Sequence, residues 1–429
     1  MKLTKTYNST VDETLYSGTH KSGLSVYVMP KKGYSKSYAI FGTKFGSIDS
    51  KFTVPGQQTA TEVPDGVAHF LEHKLFEQPD GSNVFESYAR HGGNANAFTS
   101  FNITAYLFES TQDILENLAI LLEFVQSPYF TDENVAKEQG IIGQEIGMYD
   151  DDPDWRVMMN FLSAMYAEHP VRKDISGSVE SISKIDKDIL YTCYNTFYNL
   201  SNMVLFVIGD VDPEQVAECV EQNAKDSEPF AQEIIRDYGN EPDTVLKSEV
   251  VQQLSVSVPM FMFGFKDPDC GYDGKALLRK SIENSILAEI LFGKSSGIYN
   301  KLYNEGYILG ELSTEVDCEK DYGFTVLSGE SKDPQKVKSV VLEGIAEMQK
   351  SGIAQADFDR VKKAFWGRYI KQFNNINAVA HSFISNVMNG IGMFDFVDVM
   401  ETVKLADVNA RLNQLDAGRS VLSVIEPVT

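Results

Sequence analysis

Five consecutive residues, His69-Phe70-Leu71-Glu72-His73, hold the densest chemistry in this chain. On a helix, positions i and i+4 stack on one face, so His69 and His73 can hold one metal ion between them. Glu72, three residues after His69, shares that face and can reach a metal-held water without being a ligand. Two imidazoles and a carboxylate suit zinc and leave its fourth position to water, whose pKa then falls toward about 7. A nearby carboxylate takes the proton as general base and later delivers it to a leaving amine. The order is the inverse of the H-E-x-x-H arrangement.

Such a motif needs a third ligand downstream. Glu145 is the candidate, on a helix that Thr131-Asp132-Glu133 opens and Asp150-Asp151-Asp152-Pro153 stops. Glu138 lies two turns back on the same helical face and can orient a ligating histidine. Zinc is therefore the expected cofactor, with His69, His73 and Glu145 as ligands and Glu72 and Glu138 as the working carboxylates. His20, His91, His169 and His381 sit singly beside polar or turn residues and read as structural or surface histidines.

Composition narrows the setting. At 43% hydrophobic and 23% charged residues, the chain has the balance of an ordinary globular protein. A formal charge of −23 argues against nucleic acid or an anionic membrane as partner, and favours neutral or basic peptides. No apolar window approaches the roughly 18 residues of a membrane span, and the N-terminus lacks an apolar leader. Cys193, Cys219, Cys270 and Cys318 are far apart without a C-x-x-C pair, as expected of small buried apolar residues in a reducing cytoplasm.

The positioning elements follow from periodicity. Strands are expected at Gly23–Pro30 and Tyr38–Thr43, and a helix after Asp65, which is placed to cap it. Ala95 to Phe108 alternates as a long strand, Leu115 to Val125 is an amphipathic helix, and Met203 to Asp210 is a last strand before a helix from Pro213. Residues 231–244 fall in a polar, irregular stretch and read as a linker between domains 1–230 and 245–429. The second half repeats the order in outline: a strand at Val256–Phe265, a helix at Ala276–Phe292, a strand at Gly323–Gly329 and a helix at Asp357–Phe373. The pattern suggests a duplicated domain.

With these residues on the page, the chain resembles the pitrilysin-type inverzincins, which include insulin-degrading enzymes and mitochondrial processing peptidase. The resemblance rests on His69-x-x-Glu72-His73 followed by Glu138 and Glu145, and is nearest to a YmfH-like (and AlbF-like) bacterial branch. It implies an α+β fold of two α/β rolls, each a mainly antiparallel sheet covered on one face by helices. It implies zinc held by His69, His73 and Glu145, with Glu72 as base and Glu138 behind the ligands. Gly92 to Ser100 resembles the strand that takes substrate backbone by sheet extension, which makes Asn96, Ala97 and Phe98 substrate-binding candidates.

One departure bears on partners. Many relatives carry an Arg and a Tyr after a Ser-Ser segment of the second half, and here Ser295-Ser296 leads to Tyr303 where the Arg is expected. The resemblance thus implies a homologous partner subunit carrying an Arg/Tyr pair, or a homodimer. Tyr299, Tyr303, Tyr307, Tyr322 and Phe324 are either a substrate wall or core. The expected function is a zinc endopeptidase for short or unfolded peptides. The alternatives are a non-catalytic scaffold subunit and a dedicated peptide-maturation protease.

Overall fold

A computed structural model describes residues 1–428 of the chain. Its strands are β1 (Thr4–Asn8), β2 (Glu13–Thr19), β3 (Ser25–Pro30), β4 (Ser37–Thr43), β5 (Lys51–Thr53), β6 (Thr61–Glu62), β7 (Gly93–Thr99), β8 (Thr104–Ser110), β9 (Met203–Gly209) and β10 (Ile235–Arg236). β11 (Glu249–Leu254), β12 (Met260–Lys266), β13 (Ser313–Cys318), β14 (Gly323–Glu330) and β15 (Ser420–Pro427) follow. The fold is α+β, as the resemblance implies.

The chain divides into two units, and each is discontinuous. The first comprises Met1–Ile146, Asp174–Tyr238 and Ile370–Met388; the second comprises Gly147–Lys173, Gly239–Tyr369 and the chain from Asn389 onward. A single cut at 231–244 does not describe this partition, because each half lends a helix to the other unit. The physical reason is strand burial. Every residue of β4 and β9 is buried, so both faces of that sheet need cover. Helices cover one face, and the helix Ile376–Met388 packs on β4 and β9 from the other. There Phe383 meets Tyr27 and Phe206, at ring-centroid distances of 4.9 and 4.7 Å. A Cβ on Gly42 would stand 2.9 Å from Ile384, so the close approach requires glycine. In the second unit the helix Pro153–Met165 packs on β12 and β15 in the same way.

The two large sheets repeat one plan. The first runs β1-β2-β3-β9-β4-β8-β7, parallel only between β3 and β9; the second runs β11-β15-β12-β14-β13, parallel only between β11 and β15. Dropping β1 and β2 leaves the same five-strand order and the same parallel pair, a duplication visible in topology. A small sheet, β10-β5-β6, completes the first unit.

Two expected strands divide. The run from Ala95 to Phe108 is a hairpin, because Ser100 N–H donates to Ile103 C=O at 2.8 Å and closes a turn before β8. The run expected at Val256–Phe265 begins only at Met260, and β11 lies upstream of Pro259. Among the described residues, no helix is long and apolar enough to cross a membrane.

Candidate metal centre

The helix Val67–Leu75 turns Val67, Ala68, Phe70, Leu71 and Leu75 into the core of the first unit, which leaves His69, Glu72 and His73 on its remaining face. Its start is not the expected one. The N-cap is Gly66 at φ 91°, and no side chain caps the helix; Asp65 instead offers its main-chain oxygen to the Ser181 hydroxyl at 2.8 Å. Gly66 has a reason to be glycine, since a Cβ there would lie 2.4 Å from the Ser176 carbonyl oxygen.

The helix Asp132–Asp150 brings the other carboxylates. Thr131 and Asn134 cap it reciprocally: Asn134 N–H donates to Thr131 Oγ1 at 3.1 Å, and Thr131 N–H donates to Asn134 Oδ1 at 2.9 Å. Val135, Ile142 and Ile146 bury one stripe of this helix, and Glu138 and Glu145 lie beside it.

The three expected ligands converge. Glu145 Oε1 is 3.7 Å from His69 Nε2, and Glu145 Oε2 is 3.5 Å from His73 Nε2. One donor atom from each residue fits within a 4.8 Å group. A tetrahedral zinc about 2.1 Å from each ligand places ligand atoms about 3.4 Å apart, so two of these separations already suit the ion. Glu138 sits behind them, with Oε1 3.0 Å from His73 Nδ1. A proton on Nδ1, donated to Glu138, leaves Nε2 with a lone pair toward Glu145, the usual way a carboxylate sets a ligating tautomer. Lys74, fully buried, pairs with Glu77 and lies 3.9 Å from Glu138 Oε2.

Burial sets the protonation states. It pushes His69 down to about 3, with His73 adding to the effect, so this imidazole is neutral and ready to bind a cation. Burial also pulls His73 down, but the hydrogen bond to Glu138 and the neighbouring carboxylates outweigh it and the net shift is upward. Glu72 is raised, chiefly by burial and against the Thr99 hydrogen bond and the His73 charge, which makes it a stronger base than a solvated carboxylate.

Thr99 is the residue that sequence reading passed over. Its hydroxyl donates to Glu72 Oε2 at 2.6 Å. Thr104 Oγ1 lies farther off at 3.4 Å, so the Thr99 proton goes to the nearer, acceptor-only carboxylate, and Thr104 donates to the Phe45 carbonyl at 2.9 Å. The only signal was its place in the Gly92–Ser100 strand. Its partner became visible once the β7–β8 register was known.

The substrate-binding candidates lie on that strand. β7 ends the sheet order, so its outer edge pairs with no strand among the described residues. Asn96 is exposed, and its Oδ1 accepts the Ala97 N–H at 2.9 Å, which shows that this N–H does not point at β8. Phe98 turns to the opposite face from Thr99 and stacks on His381, centroids 5.1 Å apart. In the second unit, Tyr322 and Phe324 are core residues, whereas Tyr303 is 60% exposed and stacks on Tyr299. Cys193 and Cys219 are buried and Cys270 and Cys318 half-buried, all as free thiols.

Fold and donor set together define a class: two-unit α+β chains of the zinc-peptidase type. Residues 56–178, which contain all five site residues, match the family described as insulinase (peptidase family M16), and residues 184–365 match the peptidase M16 inactive domain. The chain is 43% identical over 97% of both sequences to a Bacillus subtilis protein named as an uncharacterized zinc protease, YmfH. The crystal structure of an M16-like peptidase from Alicyclobacillus acidocaldarius superposes with a TM-score of 0.92 at 35% identity, covering 100% of this chain and 99% of that one. A Helicobacter pylori protease shares the fold, with a TM-score of 0.80 at 20% identity over 96% of this chain and 99% of the other. The chain belongs to peptidase family M16.

Proposed function

We propose that this chain is a zinc endopeptidase cleaving short or unfolded peptides, with His69, His73 and Glu145 as ligands and Glu72 as general base. The observation that carries the reading is the convergence of both Nε2 atoms on one carboxylate, with Glu138 fixing the tautomer behind. The printed names of relatives as zinc proteases support it. Zinc bound there supplies a Lewis acid for the scissile carbonyl and acidifies water.

The chain's own residues do the rest. Thr99 holds one oxygen of Glu72, and the other is left to accept a proton and return it to the leaving amine. The edge of β7 receives peptide backbone as an added strand, with Asn96, Ala97 and Phe98 at the contact. The segment after Ser296 supplies no guanidinium: Tyr303 stands exposed on the helix Gly297–Asn304. A homologous subunit is therefore proposed to bring the Arg/Tyr pair. The scaffold reading draws on the inactive-domain match over 184–365, but the complete donor set of the first unit favours catalysis.

The test is peptide cleavage before and after chelation, with Glu72→Gln alongside. Chelation abolishes cleavage and zinc restores it, while Glu72→Gln keeps its zinc and loses about 10²–10⁴ in kcat. A Glu72→Gln protein as active as the parent would refute the assignment.

A further inference from the structure

His381 comes from a segment more than a hundred residues beyond the rest of the first unit, on the helix Ile376–Met388. Val379, Ala380, Phe383 and Ile384 bury the apolar side of this helix against the sheet. His381 lies beside that apolar stripe, on an exposed flank of the helix, and makes two directed contacts. Its Nε2 is 2.9 Å from the hydroxyl of Tyr38, a buried residue of the central strand β4. Its ring stacks on Phe98 of the edge strand β7, with an interplanar angle of 29°. Because the sheet order is β4-β8-β7, one imidazole spans three strands and ties the edge to the middle.

The next residue along β7 is Thr99, bonded to Glu72 on the other face. The pair Phe98-Thr99 is thus held from both sides, by His381 on one and by the general base on the other. The ladder to β8 and the helices Val67–Leu75 and Val84–Arg90 support β7 from one side, and its outer groups are those that an added peptide must find in register.

We propose that His381 is a positioning residue for peptide binding: it holds the Phe98 segment of β7 in the register an incoming strand requires. This rests on the reading of β7 as the substrate strand. The anchor to Tyr38 orients the imidazole, and the ring face on Phe98 transmits the constraint.

Two measurements on the zinc-loaded full chain test it. Amide hydrogen exchange reads the strand without reference to catalysis: in His381→Ala, exchange across 93–99 rises about tenfold while 25–30 is unchanged. In peptide cleavage, His381→Ala raises KM about tenfold with kcat and zinc content unchanged, and His381→Phe, which keeps a ring face for Phe98 but loses the Tyr38 anchor, raises KM by less than His381→Ala. Unaltered exchange over 93–99 in His381→Ala, or a His381→Phe KM as high as that of His381→Ala, would overturn the proposal. A parent chain that cleaves nothing even with the homologous subunit added would refute the peptidase reading and leave the exchange result to decide the role of His381.

Discussion

Glu72 is given its orientation by a neighbour that no metal motif contains. Thr99 donates its one proton to the Glu72 carboxylate at 2.6 Å, the nearer and acceptor-only partner, with the Thr104 hydroxyl 3.4 Å away. Thr99→Val keeps the volume and removes the donor, so kcat falls about tenfold to a hundredfold while KM and zinc content stay at parent values. Thr99→Ser restores most of the loss. Steady-state kinetics of the two variants decide the matter, and equal kcat for Thr99→Val and the parent would remove Thr99 from the machinery. The proposed ligands His69 and His73 were legible because i, i+4 spacing on a helix is a local rule. Thr99 was not, since its contact depends on a hairpin register that brings residues 72 and 99 together across the fold.

At the scale of elements, periodicity located six of the fifteen α-helices among the described residues and the apolar strands, and missed what punctuates them. Asp65 looked like a cap because acidic residues serve well there, yet the chain enters the site helix through Gly66 in the left-handed region. The deciding fact is a tertiary one, the carbonyl of Ser176 standing where a Cβ on Gly66 would have to go. Gly66→Ala therefore adds backbone strain of about 1–3 kcal/mol and displaces the turn carrying His69. Thermal unfolding and zinc affinity both report it: the expected outcome is a lower Tm together with weaker zinc binding. Parent-like values for both would show that the entry turn is not constrained. The turn at Ser100–Ile103 was hidden for a related reason, because alternation runs on through it and only the Ser100–Ile103 bond marks the reversal.

For the whole molecule, the duplication was visible in the order of elements, and the exchange of helices was not. Burial of β4 and β9 on both faces demanded a second cover, but nothing local in Ile376–Met388 says that it lies on a sheet built from residues before 210. Among the described residues, the one group of His, Cys, Asp and Glu side chains that could hold a metal ion, His69, His73 and Glu145, lies in the first unit. If a homologous chain supplies the missing Arg/Tyr pair, adding it raises kcat/KM by about 10²–10³, the usual value of oxyanion stabilisation. Cleavage by the chain alone at the rate of the mixture would contradict the partner requirement.

The proposed ligands are read out by X-ray absorption at the zinc edge. One zinc per chain is expected, with two imidazole nitrogens, oxygen in the remaining positions and no sulfur, and loss of one imidazole contribution in His73→Ala. A sulfur-bearing shell, or an unchanged spectrum in His73→Ala, would contradict this ligand set.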